Sequence, residues 1–145
     1  QRASRFLQYN ANVIDAKGLF ILDKINGKPS EEVQEEMRKS IVAGMLYGKT
    51  LQFECQNTAP PFGEYEDEDT FPVAELFSGG WNKKEEAIEA LLRDDDPPPP
   101  MGGSFVNQGV HFVFTTFFEP TDYKQFLLGG WPEFPFNEMD VYIVM

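Results

Sequence analysis

Residues 30–55 read SEEVQEEMRKSIVAGMLYGKTLQFEC, and this stretch decides the fold. Val33, Met37, Ile41 and Met45 recur every fourth position, which places them on one face of a helix. Pro29 and Ser30 mark its start: Ser30 can cap, and Glu31 and Glu32 meet the positive end of the helix dipole. Gly48 suits the left-handed residue that closes a helix, and Lys49 stands by the negative end. The spacing predicts a helix over 31–47 and a short strand over 50–55.

Upstream, Val13, Ile14, Leu19, Phe20, Ile21 and Leu22 form two apolar runs parted by Ala16-Lys17-Gly18. They fit either a hairpin or one buried strand with a lead-in, before a turn at Asn26-Gly27. Strand, helix and strand joined tightly specify a right-handed parallel crossover rather than an antiparallel meander.

Downstream, residues 56–70 read as a loop with Pro60-Pro61, Gly63 and the acidic run Glu64-Tyr65-Glu66-Asp67-Glu68-Asp69. Two short helices are expected next, one over Pro72–Phe77 and one over Lys83–Leu92 capped by Asn82. The second has lysines at its start and Asp94-Asp95-Asp96 at its end, so it must depend on packing through Ile88, Leu91 and Leu92. Pro97 to Pro100 favour an extended rod, and residues 94–104 form a spacer. Val110 to Phe118 is the strongest strand signal, rich in aromatic and β-branched residues and ended by Pro120. Thr121 can cap a short helix through Leu128, and Val141 to Met145 reads as a last strand. The order predicts an α/β fold of three layers, a mainly parallel sheet with flanking helices. Residues 1–145 make one such domain, or an excerpt of one, because the chain lacks an initiator Met and stops in a strand.

Twenty-four acidic against 12 basic residues give a net charge of −12, yet 41% hydrophobic and 14% aromatic content supports a globular core rather than an acidic tail. Such a surface repels phosphate backbones, so nucleic acid is not an expected partner. A protein with a basic surface is. No apolar run reaches the roughly 18 residues of a membrane span, and the first nine residues lack the features of a signal peptide. The lone Cys55 excludes an internal disulfide, and together these features predict an intracellular, cytoplasmic protein.

Three constellations could carry chemistry. Gly44-Met45-Leu46-Tyr47-Gly48-Lys49-Thr50 is one residue short of a phosphate-binding loop, but it lies where a helix ends and presents the wrong end of the dipole. It reads as a helix stop. Asp23 and Glu54 each follow an apolar strand, where a nucleotide hydrolase holds magnesium; with Thr116 they form the candidate nucleotide site. The acidic run lacks the glycine turn and ligand spacing of an EF-hand, leaving calcium a third reading. His111 has no Cys or Ser partner at catalytic spacing, and no catalytic residue or resident cofactor is expected. Trp81, Trp131 and Phe134 lie in Gly- and Pro-rich loops; with Glu64, Tyr65, Glu66 and Asp67 they are the candidate partner-binding residues.

Phe6-Leu7-Gln8-Tyr9, the run from Glu36 to Lys49 with its Ala43-Gly44-Met45 and Tyr47-Gly48-Lys49 pattern, and Phe112-Val113-Phe114-Thr115-Thr116 carry a resemblance. The chain resembles the P-loop, AAA-like domain near the C-terminus of IQ-motif and ankyrin-repeat proteins of ciliated cells. The resemblance implies a three-layer α/β core whose phosphate loop lies upstream of Gln1, with Thr115-Thr116 in the sensor-strand position. It also implies a ciliary or axonemal setting. Glu54-Cys55 stands where an acidic pair would follow a Walker-B-like strand, a departure from the active pattern. The expectation is therefore a non-catalytic scaffold domain in a larger assembly, the alternative being an Mg·ATP-binding domain.

Overall fold

The computed structural model describes residues 11–78, 84–99 and 110–128, together with 140 and 142. Trp81, Asn82, Trp131, Phe134, the end of the 94–104 spacer and the expected last strand lie outside the described residues, as do the side chains of Leu22, Asp23 and Leu128.

Three strands form one sheet: β1 (Ala11–Asp15), β2 (Thr50–Gln56) and β3 (Phe112–Thr116), in the order β1-β2-β3. Both pairings are parallel. Between β1 and β2 runs the long helix α1 (Ser30–Tyr47), which begins one residue earlier than expected. Pro29 is its N-cap residue, and Ser30 lies inside the first turn rather than capping it. At the other end Gly48 adopts φ 61° and ψ 32°, the left-handed stop that the sequence predicts. Three shorter helices follow: α2 (Val73–Phe77), α3 (Glu85–Leu91) and α4 (Tyr123–Leu128).

Register sets the core. Pairings Asn12↔Leu51↔Phe112 and Ile14↔Phe53↔Phe114 put these side chains on one face of the sheet. Onto that face α1 lays Val33, Met37, Ile41 and Met45, all buried. The helix comes close because Gly44 has no side chain: a Cβ there would lie 2.8–2.9 Å from the side-chain carbons of Leu51. Phe53 is the hub, its ring centroid 5.1 Å from Phe114, 5.4 Å from Phe62 and 5.5 Å from Phe77. Edge-to-face and offset rings at these separations add directional attraction to the hydrophobic gain.

Two expectations are corrected. The run Leu19 to Leu22 is not strand: β1 stops at Asp15, and Gly18–Leu22 form a π-helical turn followed by the helical turn Asp23–Ile25. The Asp15 carboxylate accepts the Gly18 N–H at 2.9 Å, closing a turn that ends the strand and curls Phe20 into the core. Likewise α3 starts at Glu85, with Lys84 in extended conformation before it. Glu85 and Glu86 thus occupy the first turn, where they favour the dipole, and the lysine-first reading does not hold.

Asp96, within the expected 94–104 spacer, is tied to α1. Arg38 on α1 is only 1% exposed and uses all five of its N–H groups, on Glu35 (2.7 and 2.7 Å), Asp96 (2.6 and 2.9 Å) and the Leu91 carbonyl (2.7 Å). The Asp96 carboxylate accepts the Arg93 N–H as well. This ion network ties α1 to the segment after α3, where hydrophobic packing alone would have to hold a helix of seven residues. Arg38 holds the carboxyls of Asp96 and Glu35 below their ordinary range, and its own guanidinium is held charged by both.

Candidate functional site

In open parallel sheets the C-terminal ends of the strands are where chain direction reverses and polar groups gather. Here the edge is built from Asp15, Gln56 and Thr116, the last residues of the three strands. Register aligns Asp15, Glu54 and Thr115 in one row across the sheet, on the face opposite Phe53. Gln52 on that face donates to the Thr115 hydroxyl at 3.0 Å. Beyond Glu54 the register shifts and Gln56 takes φ 52°, a conformation non-glycine residues seldom adopt. Its carbonyl then accepts both the Thr116 hydroxyl (3.1 Å) and the Phe117 N–H (2.7 Å), while the Thr116 oxygen accepts the Phe118 N–H at 3.2 Å. Lys17 reaches across to Asn57, donating to Oδ1 at 3.4 Å.

Of the candidate nucleotide residues, Glu54 and Thr116 therefore reach the same edge. Asp23 does not sit at a strand end, since its backbone opens the turn Asp23–Ile25, and Asp15 takes the position expected of it. The sequence left Asp15 unmarked because the longer apolar run after it looked like the strand. Cys55 is buried, and that burial, with the Glu54 charge beside it, pushes its thiol up to about 12. At neutral pH it is a protonated small hydrophobe rather than a nucleophile. His111 is exposed just before β3, and its carbonyl accepts the Leu51 N–H at 2.8 Å.

The acidic run is a shaped element, not a floppy loop. Phe62–Tyr65 form a 3₁₀ turn whose Phe62 and Tyr65 rings are buried, each packed on Phe20 at 5.2 and 5.1 Å. Burial pushes the Tyr65 phenol up, and its backbone carbonyl accepts from Gln34 on α1 at 2.9 Å. Tyr65 is thus a core anchor at 4% exposure, a different place from the surface its sequence neighbours suggest. Glu64 pairs with Lys24. Glu66 accepts the Ala74 N–H at 2.9 Å, satisfying a first-turn donor of α2. Asp67 accepts the N–H groups of Asp69 (3.0 Å) and Thr70 (2.8 Å), and hydrogen bonds from Thr70 hold its carboxyl below the usual range. Backbone bonds between Asp67 and Phe71 close the loop at 3.1 and 2.8 Å. The carboxylates of Glu68 and Asp69 are exposed on this framework.

Sequence reasoning assigned no exposed role to Phe117 and Phe126, which stand 53% and 49% exposed beyond β3. Phe117 read as part of the strand, and the signal that could have singled it out is Pro120 close behind. Among the described residues no three His, Cys, Asp or Glu side chains group as a metal site, and no helix is long and apolar enough to cross a membrane. No family model, curated protein or solved structure matches the chain.

Proposed function

We propose that this is a non-catalytic protein-interaction domain that serves as a scaffold for a partner with a basic surface. The observation that carries the reading is the acidic loop: Tyr65 and Phe62 fasten it to the core, Asp67 and Glu66 fix its backbone, and Glu68 and Asp69 are held outward. Charges presented on a rigid frame lose little entropy on binding and steer an oppositely charged partner. The net charge of −12 acts in the same direction. A three-layer, P-loop-like core and a ciliary or axonemal setting belong to this proposal through the resemblance of residues 36–49 and 112–116. The test is affinity purification with the protein and with its Glu68→Lys, Asp69→Lys variant. Loss of the wild-type partner from the variant is expected; identical partner recovery would overturn the role of the loop.

A nucleotide-binding domain is the second reading, favoured because Glu54 and Thr116 both lie near the C-terminal edge of a parallel sheet. It predicts that Mg·ATP binds the protein and that Thr116→Val weakens it, measured by isothermal titration. No heat at millimolar Mg·ATP rejects it.

A further inference from the structure

Between the helical turn Asp23–Ile25 and α1 the chain crosses Asn26-Gly27, the single Asn-Gly pair in the sequence. Both residues are exposed, as are Lys24 and Ile25 before them. Gly27 takes φ 83°, and a Cβ built on it would meet nothing within 4 Å. Its N–H donates to the Lys24 carbonyl at 3.1 Å, a bond that closes only the end of a three-residue helix. Exposed bonds at such an end open at small cost in free energy, which frees the glycine nitrogen without unfolding the core. Two other asparagines are placed differently. Asn12 lies within β1, paired in the ladder with Leu51 and followed by Val13. Asn57 is followed by Thr58, and its side-chain oxygen accepts from Lys17. In both, the branched residue that follows crowds the peptide nitrogen, as glycine does not.

We propose that Asn26 is a site of spontaneous covalent modification, at which the native turn converts to aspartyl and isoaspartyl forms. The Gly27 nitrogen bonds to Cγ of Asn26 and gives up its proton to solvent hydroxide. The bond from Cγ to the side-chain nitrogen breaks, and that nitrogen takes a proton from water and leaves as ammonia. A cyclic imide results. Water then adds to one of its two carbonyl carbons: at Cγ it restores the main chain with aspartate at 26. At the main-chain carbonyl carbon it leaves the chain running through the side chain, one methylene longer, with a free carboxylate. The net change is amide plus water to acid plus ammonia, with no oxidant, metal or enzyme. Either product sets a new negative charge between Lys24 and Lys28, which pair with Glu64 of the acidic run and with Glu36 on α1. The turn thus undergoes a slow change of charge and chain length beside the ion pair that ties the acidic loop to it. This inference stands independently of the protein-interaction reading.

The experiment ages the full chain in mildly alkaline buffer, with parallel samples in mildly acidic buffer and in urea, and maps its peptides by mass spectrometry. A protein isoaspartyl methyltransferase with a labelled sulfonium methyl donor is the probe for isoaspartate. In the native samples Asn26 is expected to exchange its amide for a carboxyl about tenfold faster than Asn12 or Asn57, because only its following residue lacks a side chain. The same peptide is expected to accept the methyl label, and the rate to fall in acid as hydroxide falls. Asn26→Ser, a change confined to an exposed turn side chain, removes the label from that peptide. Equal rates at the three asparagines would overturn the proposal. Conversion of Asn26 that begins only in urea would overturn it as well, by showing that the bond to the Lys24 carbonyl locks the nitrogen in the native turn.

Discussion

Replacing Arg38 by Met tests the ion network that fastens α3 to the body of the fold. Methionine keeps the apolar length of the side chain but none of its donors, so Asp96, at 6% side-chain exposure, loses both guanidinium bonds and keeps only the Arg93 N–H. Removing one member of a buried pair costs about 3–5 kcal/mol, because the other charge remains buried. The Glu35 arm adds little: that carboxylate is 41% exposed and regains water. The Leu91 carbonyl also loses its donor, at a cost of about 1 kcal/mol. Against this, the methionine stem retains packing and the desolvation cost of the buried guanidinium disappears, so the low end applies, about 3 kcal/mol, or a fall in Tm of about 10 °C for a chain of this size. Because Asp96 is depressed in the folded state, its contribution is complete above the ordinary carboxylate value near 4 and is lost as pH falls through the lower, folded-state value. The stability difference between wild type and Arg38→Met should therefore be constant from pH 6 to 7 and shrink below about pH 4. Urea unfolding at several pH values measures both. A loss under about 0.5 kcal/mol at pH 7, the size of a neutral surface change, would refute the reasoning.

Gly44→Ala should destabilise by about 1 kcal/mol in the same assay, since overpacking against Leu51 outweighs the helix-propensity gain; a stabilised variant would show that α1 does not press on β2. Phe53→Ala removes the ring at the centre of the aromatic cluster and should cost about 4 kcal/mol, read from thermal unfolding. With its thiol pushed up to about 12 and buried, Cys55 should resist an alkylating reagent at pH 8 until urea opens the fold. Rapid labelling of the native protein, followed by mass spectrometry, would contradict that burial.

The parallel crossover was legible in residues 30–55 because helix period, stop residue and strand follow one another with nothing between them to mislead. Gly48 does what its position implies. The turn at Gly18–Leu22 was not legible: a short apolar run fits a strand or a buried helical turn equally, and the Asp15 to Gly18 hydrogen bond that decides it leaves no period in the sequence. Arg38 and Asp96 are 58 residues apart, so nothing local marks them as partners. Asp96 looked like one of three solvated aspartates. The row of Asp15, Glu54 and Thr115 arises only once register is fixed, and Tyr65 among five carboxylates hid an anchor whose ring turns to the core.

The central claim, an acidic scaffold that binds a basic protein, is tested most directly by carbodiimide cross-linking of the intact protein in its native surroundings. The reagent joins carboxylates to lysines in contact, and mass spectrometry of the linked peptides locates both ends. The account predicts links from Glu68 or Asp69 to lysines of a partner protein, lost at high salt. Links only within this chain, with saturable Mg·ATP binding that Thr116→Val abolishes, would contradict it.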